Sequence, residues 1–187
     1  MLNAIKEKTT QLLFTIDDVV SVRGISSASA KVFCVRKVKS GEYIRLKNNL
    51  YILRSDWNYM LWEEKLKLAN IIQVPSYISL LTALSYFELT TQIPISRTES
   101  IAVTKTYFKD IEDYQFIYTK LDRKLYTGFT KQNGLFIASP EKALADCIYL
   151  CSFGKYALDY PALDMEKINT ILLNKWLSKC PEKTQKW

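Results

Sequence analysis

The chain has 187 residues, 48% of them hydrophobic and 24% charged, with a formal net charge of +7. It holds four cysteines (Cys34, Cys147, Cys151, Cys180) and no histidine, which excludes His-based general acid–base catalysis, Ser-His-Asp or Cys-His nucleophile activation, and histidine metal ligation. No run approaches the ~18 consecutive apolar residues of a membrane span, and Gly24, Gly41, Gly128, Gly134 and Gly154 are too scattered for a phosphate-binding loop or a dinucleotide fingerprint. Met1 to Gln11 lacks the apolar stretch of a secretory signal. The thiols form no CxxC pair and are expected to be cytosolic, so a cytoplasmic location is expected.

The charge is unevenly placed. Residues 1–55 carry ten Lys/Arg against four Asp/Glu, an excess of +6, while residues 56–187 carry sixteen against fifteen, an excess of +1. This is the electrostatic footprint expected of a nucleic-acid-binding module (1–55) joined to a near-neutral domain (56–187). The alternative is a basic surface kept for solubility.

In chain order, residues 3–14 read as a helix. Thr15-Ile16-Asp17-Asp18 has the form of a capping box, which predicts a short helix from Ile16 to about Val20, broken at Val22-Arg23-Gly24-Ile25. Ser26 or Ser27 caps a second helix that runs to about Ser40 and stops at Gly41, with Cys34, Val35 and Val38 as its core stripe. Tyr43-Ile44-Arg45-Leu46 and Leu50-Tyr51-Ile52-Leu53 then form a hairpin around Lys47-Asn48-Asn49. Helix, Gly-containing turn, helix and basic hairpin predict a winged helix-turn-helix, with Arg45, Lys47, Asn48 and Asn49 at the wing tip. A winged helix serving as a protein-interaction module is the alternative.

Beyond a boundary at Arg54–Asn58, Trp57 to Ile72 reads as one helix. Pro75-Ser76 opens another, with Tyr77, Leu80, Leu81 and Leu84 at i, i+3, i+4 and i+7, ending near Phe87. Strands are expected at 101–104, 114–119, 125–129 and 135–138, the last two separated by a turn at 131–134. Ser139 as N-cap, Pro140 at the first helical position and Glu141 in the first turn predict a well-capped helix, with Leu144, Cys147, Ile148 and Cys151 as its apolar stripe. A last helix is expected from Asp164, with Ile168, Ile171, Leu172 and Trp176 inward, then a polar tail from Cys180. Helices, then strands, then helices predict an α+β fold: the winged helix-turn-helix followed by a mixed domain with a small sheet and packed helices, not an alternating parallel sheet.

Acid–lysine groupings that could suggest chemistry are Asp122, Glu141, Lys142 and Asp146, or Asp56, Glu63 and Lys65. Glu141 and Asp146 are five apart and diverge around a helix, and Lys142–Asp146 reads as a surface i, i+4 ion pair. Neither a base, nor a nucleophile, nor a metal set converges. No catalytic residue, metal or cofactor is therefore expected. A nucleic-acid- or nucleotide-modifying enzyme built on residues 56–187 is the contrasting possibility.

With these elements placed, the chain resembles the AbiEi family, the antitoxins of AbiE abortive-infection (type IV toxin–antitoxin) systems. The resemblance rests on Pro75-Ser76-Tyr77-Ile78-Ser79-Leu80-Leu81-Thr82-Ala83-Leu84 followed by Thr91-Gln92-Ile93-Pro94, and on Ile137-Ala138-Ser139-Pro140-Glu141-Lys142-Ala143-Leu144-Ala145-Asp146. Two departures stand out: Asn49-Leu50-Tyr51 where relatives usually have Gly-x-Tyr, and Phe87-Glu88 where they often have His-Gly. The resemblance implies a winged helix that binds inverted repeats in its own operon's promoter and represses it. It implies a second domain that neutralises a nucleotidyltransferase-like toxin without a stable complex, in the service of phage resistance. Operator symmetry implies a monomer or weak dimer with two copies per palindromic site. In the DNA-binding reading Ser26, Ser27, Ser29 and Arg36 face the major groove, Arg36 reading guanine. Arg23, Lys31, Lys37, Arg45 and Lys47 contact phosphates.

Overall fold

In the computed structural model, which describes residues 12–186, the first helix starts where one threonine and one aspartate satisfy each other's backbone donors. Thr15 N–H donates to Asp18 Oδ2 (2.6 Å) and Asp18 N–H donates to Thr15 Oγ1 (3.3 Å). Helix α1 (Ile16–Arg23) follows, and its N–H groups would otherwise be orphaned at this end. It continues past the expected stop near Val20, because the Gly24 N–H still reaches Val20 O (2.8 Å) and glycine takes the left-handed φ of 63° that ends the helix. Ser26 caps helix α2 (Ser27–Lys39). The expected helix over 3–14 lies largely outside the described residues, and its last two positions form strand β1 (Leu13–Phe14).

Strands β2 (Tyr43–Lys47) and β3 (Leu50–Leu53) make the expected hairpin, and β1 adds to β3, giving an antiparallel sheet of order β1-β3-β2. Phe14 packs edge-on to Tyr43 (4.9 Å between centroids) and stacks on Tyr51 (5.9 Å). Val19, Ala30, Cys34 and Leu53 close the core around them. Val35, expected in this core, points outward instead. Ala30 and Cys34 set the inward face of α2, with Phe33 and Val38 on its flanks. Helix α3 (Arg54–Asn58) belongs with this part of the chain, since the two compact units are Met1–Leu61 and Trp62–Trp187.

The expected helix from Trp57 to Ile72 is two helices, α3 and α4 (Trp62–Ile72), separated at Tyr59–Leu61, where Tyr59 and Leu61 are exposed. Ser76 to Ile78, read as the start of a helix, is strand β4, and helix α5 begins only at Leu80 (Leu80–Tyr86). Four of the remaining strands are β5 (Arg97–Ala102), β6 (Tyr107–Ile111), β7 (Tyr114–Lys120) and β8 (Phe129–Gln132). With β4 and β9 (Leu135–Ala138) they form a six-stranded sheet of order β6-β7-β5-β4-β9-β8. The pairs β5·β7 and β4·β9 are parallel and the others antiparallel, so the sheet is mixed and the fold is α+β. Strand β6 was not foreseen, and the expected strand at 125–129 is a 3-10 turn (Arg123–Leu125) leading into β8.

Alternation along the strands places the helices. Tyr118 donates its hydroxyl to Ala69 O on α4 (2.8 Å), so α4 covers one face. Tyr77 on β4 points to the other face, where helix α6 (Pro140–Ser152) lies with α5 beside it. β9 meets β4 at a single bridge, Ile78–Ile137, and the Asn70 side-chain amide bonds both the N–H (2.8 Å) and the carbonyl (3.3 Å) of Phe136. The last long helix, α7 (Thr170–Leu177), starts later than expected, because Asn169 Oδ1 accepts from Ile171 and Leu172 N–H (both 3.1 Å). Leu173 is its buried position, while Ile171 and Leu172, expected inward, are exposed. A short helix, α8 (Glu182–Gln185), follows.

Candidate nucleic-acid interface

Helix α2 presents two different faces because its sequence, SASAKVFCVRKVK, contains no acid and only two fully buried residues. Opposite Ala30 and Cys34 stand Ala28, Val32, Val35 and Lys39, with Ser29 and Arg36 beside them. Arg36, Lys31 and Lys39 are exposed, and none of them is ion-paired among the described residues. Ser26 is spent on the cap: its Oγ accepts from the Ser29 N–H (3.2 Å) and donates to Ser29 Oγ (2.9 Å). Of the expected groove-facing set, Ser29 and Arg36 line one open depression of about 480 Å³ with Ile25, Ala28, Val32 and Phe33.

Ser27 and Lys31 fall on another side. They line a hollow of about 300 Å³ together with Ile16, Asp17, Asn48 and Asn49, so the β2–β3 turn and the N-termini of both helices meet there. Asp17 places a negative charge in that hollow, a feature the residue pattern did not signal. Asn49, expected as a DNA contact at the hairpin turn, is committed to the fold: its Oδ1 accepts from the Ile16 N–H (2.9 Å) while its backbone holds a left-handed φ of 56°. Arg45 folds over the turn, donating to Asn48 Oδ1 (3.0 Å), and Lys47 is exposed at the end of β2.

Two of the expected phosphate contacts are committed elsewhere. Lys37 is half-buried and paired with Glu42 (2.5 Å), which also accepts from Ser40 Oγ (2.9 Å). The hydrogen bonds from Lys37 and Ser40 hold the Glu42 carboxyl below its ordinary range. Arg23 lays its guanidinium 3.8 Å over the centre of the Phe33 ring, exposed but oriented by the stack. The cationic surface is therefore narrower than the sequence count, centred on Lys31, Arg36 and Lys39 and continued by Arg45 and Lys47. Ala28, Val32, Val35 and Lys39 were missed as surface residues; taking Ala30 with Cys34 as the inward pair would have found them.

The acid–lysine grouping of the second unit is not a surface feature. Lys142 and Asp146 are 4% and 1% exposed, and Lys142 Nζ donates to Asp146 Oδ1. Asp146 Oδ2 accepts from Ser79 Oγ (2.8 Å) and Tyr77 OH (3.0 Å), and the Lys142 ammonium lies 5.9 Å from the Tyr77 ring centre. Burial raises the Asp146 carboxyl above its ordinary range, against the opposing pull of Lys142, Ser79 and Tyr77. Glu141 is buried too and accepts from the Asn169 N–H (3.4 Å), tying α6 to the start of α7. Both Asp146 oxygens have protein partners and the Lys142–Asp146 pair is closed to solvent, the arrangement of a core pin between β4 and α6, while Asp122 is exposed and apart from it. Cys147 is fully buried and Cys151 partly so, and burial raises both thiols. No cluster of three or more Cys, Asp or Glu that could hold a metal ion occurs among the described residues, and no described helix is long and apolar enough to cross a membrane.

No family model matches the sequence, and no curated protein matches it. In fold, the chain is similar to the RV2827C protein from Mycobacterium tuberculosis, seen in a crystal structure. The TM-score is 0.59 at 10% identity, over 96% of this chain and 70% of that one. At that identity the likeness is one of fold.

Proposed function

We propose that the first unit is a winged helix-turn-helix that binds inverted repeats in the promoter of its own operon and represses it. In this proposal the whole chain is an AbiEi-type antitoxin of a type IV toxin–antitoxin system. The observation that carries the DNA-binding half is the exposed surface of α2: Lys31, Arg36 and Lys39 are without ion pairs among the described residues, the helix carries no acid, and Ser29 and Arg36 share one open depression. The order β1, α1, α2, β2, β3 supports a winged-helix reading with the β2–β3 hairpin as wing. Arg36 reads guanine, Ser29 stands beside it, and Lys31, Lys39, Arg45 and Lys47 meet phosphates. Lys37, neutralised by Glu42, contributes little. Two copies occupy a palindromic operator, one per half-site.

The neutralising half rests on the sequence motifs of the second unit, which resemble those of the antitoxins. The partner would be a nucleotidyltransferase-like toxin, opposed without a stable complex. The chain acts by binding rather than by turnover, and the buried Lys142–Asp146 group supports the second unit's core.

A gel-shift titration over a salt series tests the DNA-binding half. Arg45→Ala with Lys47→Ala should weaken binding about equally on all sequences and reduce the slope of log K against log salt by about 2. An unchanged slope would remove the wing from the interface, and absence of salt-sensitive binding by the native chain would remove the proposal. For the neutralising half, co-expression should relieve growth arrest by a toxin encoded beside this chain, and no rescue would refute it.

A further inference from the structure

The outward crest of α2 is apolar where a charged surface would be expected. Val32 and Val35 are 51% and 49% exposed, and Ala28 is exposed in line with them. Each Cα–Cβ bond here points away from the buried Ala30 and Cys34, so these methyl groups stand on the outward side of the helix. Arg36 flanks the crest on one side, Lys31 on the other, where it shares a hollow with Asp17 of α1, and Lys39 ends it; the helix itself carries no acid. A cation-flanked apolar strip complements a surface with anionic walls and an apolar floor. The major groove of duplex DNA has that character where thymine places its C5-methyl group between two phosphate backbones, and its ~12 Å width admits a helix. Ala28 to Val35 spans about 10 Å at 1.5 Å per residue, which matches about three base steps of 3.4 Å.

We propose that Ala28, Val32 and Val35 read thymine C5-methyl groups, so that preferred sites carry thymines next to the guanine contacted by Arg36. The inference rests on the DNA-binding reading above and adds the base identity that the crest selects. Alanine and methyl-bearing side chains make such contacts by apolar burial alone. Each methyl removed from water on binding is worth about 4-fold in affinity, the value of one buried carbon. The serines and Arg36 supply polar contacts that this term leaves untouched.

The test uses the full chain and a pool of random 20-base-pair duplexes, from which bound sequences are enriched. The best duplex is then synthesised with deoxyuridine in place of thymidine, which deletes only the C5-methyl groups. The expected result is enrichment of thymine beside guanine, a 4-fold or larger loss of affinity on the deoxyuridine duplex, and an unchanged salt slope. Val32→Ser with Val35→Ser should bind both duplexes alike. Both positions are exposed, and an unchanged thermal melt shows that the fold is kept. Equal affinity of the native chain for both duplexes overturns the methyl reading and leaves DNA binding standing. Absence of enrichment and of salt-sensitive binding overturns both. Self-association of the free chain that Val32→Ser abolishes also overturns the methyl reading, because the crest would then be an interface between copies.

Discussion

Lys142→Met separates a buried ion pair from the surface pair that the i, i+4 spacing alone suggests. An exposed pair of this kind contributes about 0.3–0.5 kcal/mol. Here both side chains are almost fully enclosed, and Asp146 would keep only the Ser79 and Tyr77 hydroxyls as donors. Removing one partner of such a pair costs about 3–5 kcal/mol, because the remaining charge stays buried. In a unit of this size that corresponds to a loss of about 10–20 °C in Tm. The loss should also depend on pH. Burial already holds the Asp146 carboxyl above its ordinary value of 3.8, and without Lys142 the main opposing influence is gone. A folded state that keeps its proton to higher pH than the unfolded chain is destabilised as pH rises through that window and recovers as pH falls back through it. The Lys142→Met deficit should therefore shrink on acidification. Lys142→Met with Asp146→Asn should restore much of the stability at neutral pH, since no charge is then buried and both hydroxyls keep a partner. Urea titrations followed by fluorescence and circular dichroism at several pH values measure all of this. A Lys142→Met cost below about 0.5 kcal/mol with no pH dependence would refute the reasoning.

Two further outcomes follow from features of the first unit and of the α5 terminus. Glu42→Gln releases Lys37 from its ion pair, so DNA affinity should rise at low salt and the salt slope should steepen by about 1 in the same gel-shift series. An unchanged slope would mean that Lys37 does not reach the phosphates even when released. Glu88 holds a left-handed φ of 56° at the end of α5 and its backbone N–H bonds to Ser85 O (3.0 Å), so Glu88→Gly should raise stability by about 0.5–1 kcal/mol in a thermal melt. Asn49→Gly, at a similar φ, should destabilise by about 1 kcal/mol because it removes the acceptor for the Ile16 N–H.

Three helix starts were legible in the sequence because their caps are local chemistry. Thr15 with Asp18, Ser26, and Ser139 with Pro140 each satisfy donors within three residues, and all three helices begin where those residues put them. Elements decided by distant partners were not legible. Tyr77, Leu80, Leu81 and Leu84 have helical spacing, yet Tyr77 lies in a strand because Ile101 and Ile137 flank β4 in the sheet. The i, i+4 spacing of Lys142 and Asp146 is the same on a surface or in a core, and only Tyr77 and Ser79 on a distant stretch of chain decide which. At the candidate interface the residue types were legible and their commitments were not. Lys37 and Asn49 look like DNA ligands by type, but one is taken by Glu42 and the other by the backbone of α1. Val35 was assigned inward by apolarity, although the inward direction of α2 is fixed by Ala30 and Cys34.

The Asn49 amide has a consequence for how motion can pass through the first unit. The first-turn N–H groups of a helix have no partner within it and exchange with solvent early. The Ile16 N–H is held instead by a side chain on the β2–β3 turn, thirty-three positions away in the chain. A ligand that pulls the β2–β3 turn outward must break that bond or carry the start of α1 along with it. The hydrogen-exchange rate of a single amide, that of Ile16, therefore reports whether the β2–β3 turn is docked or lifted.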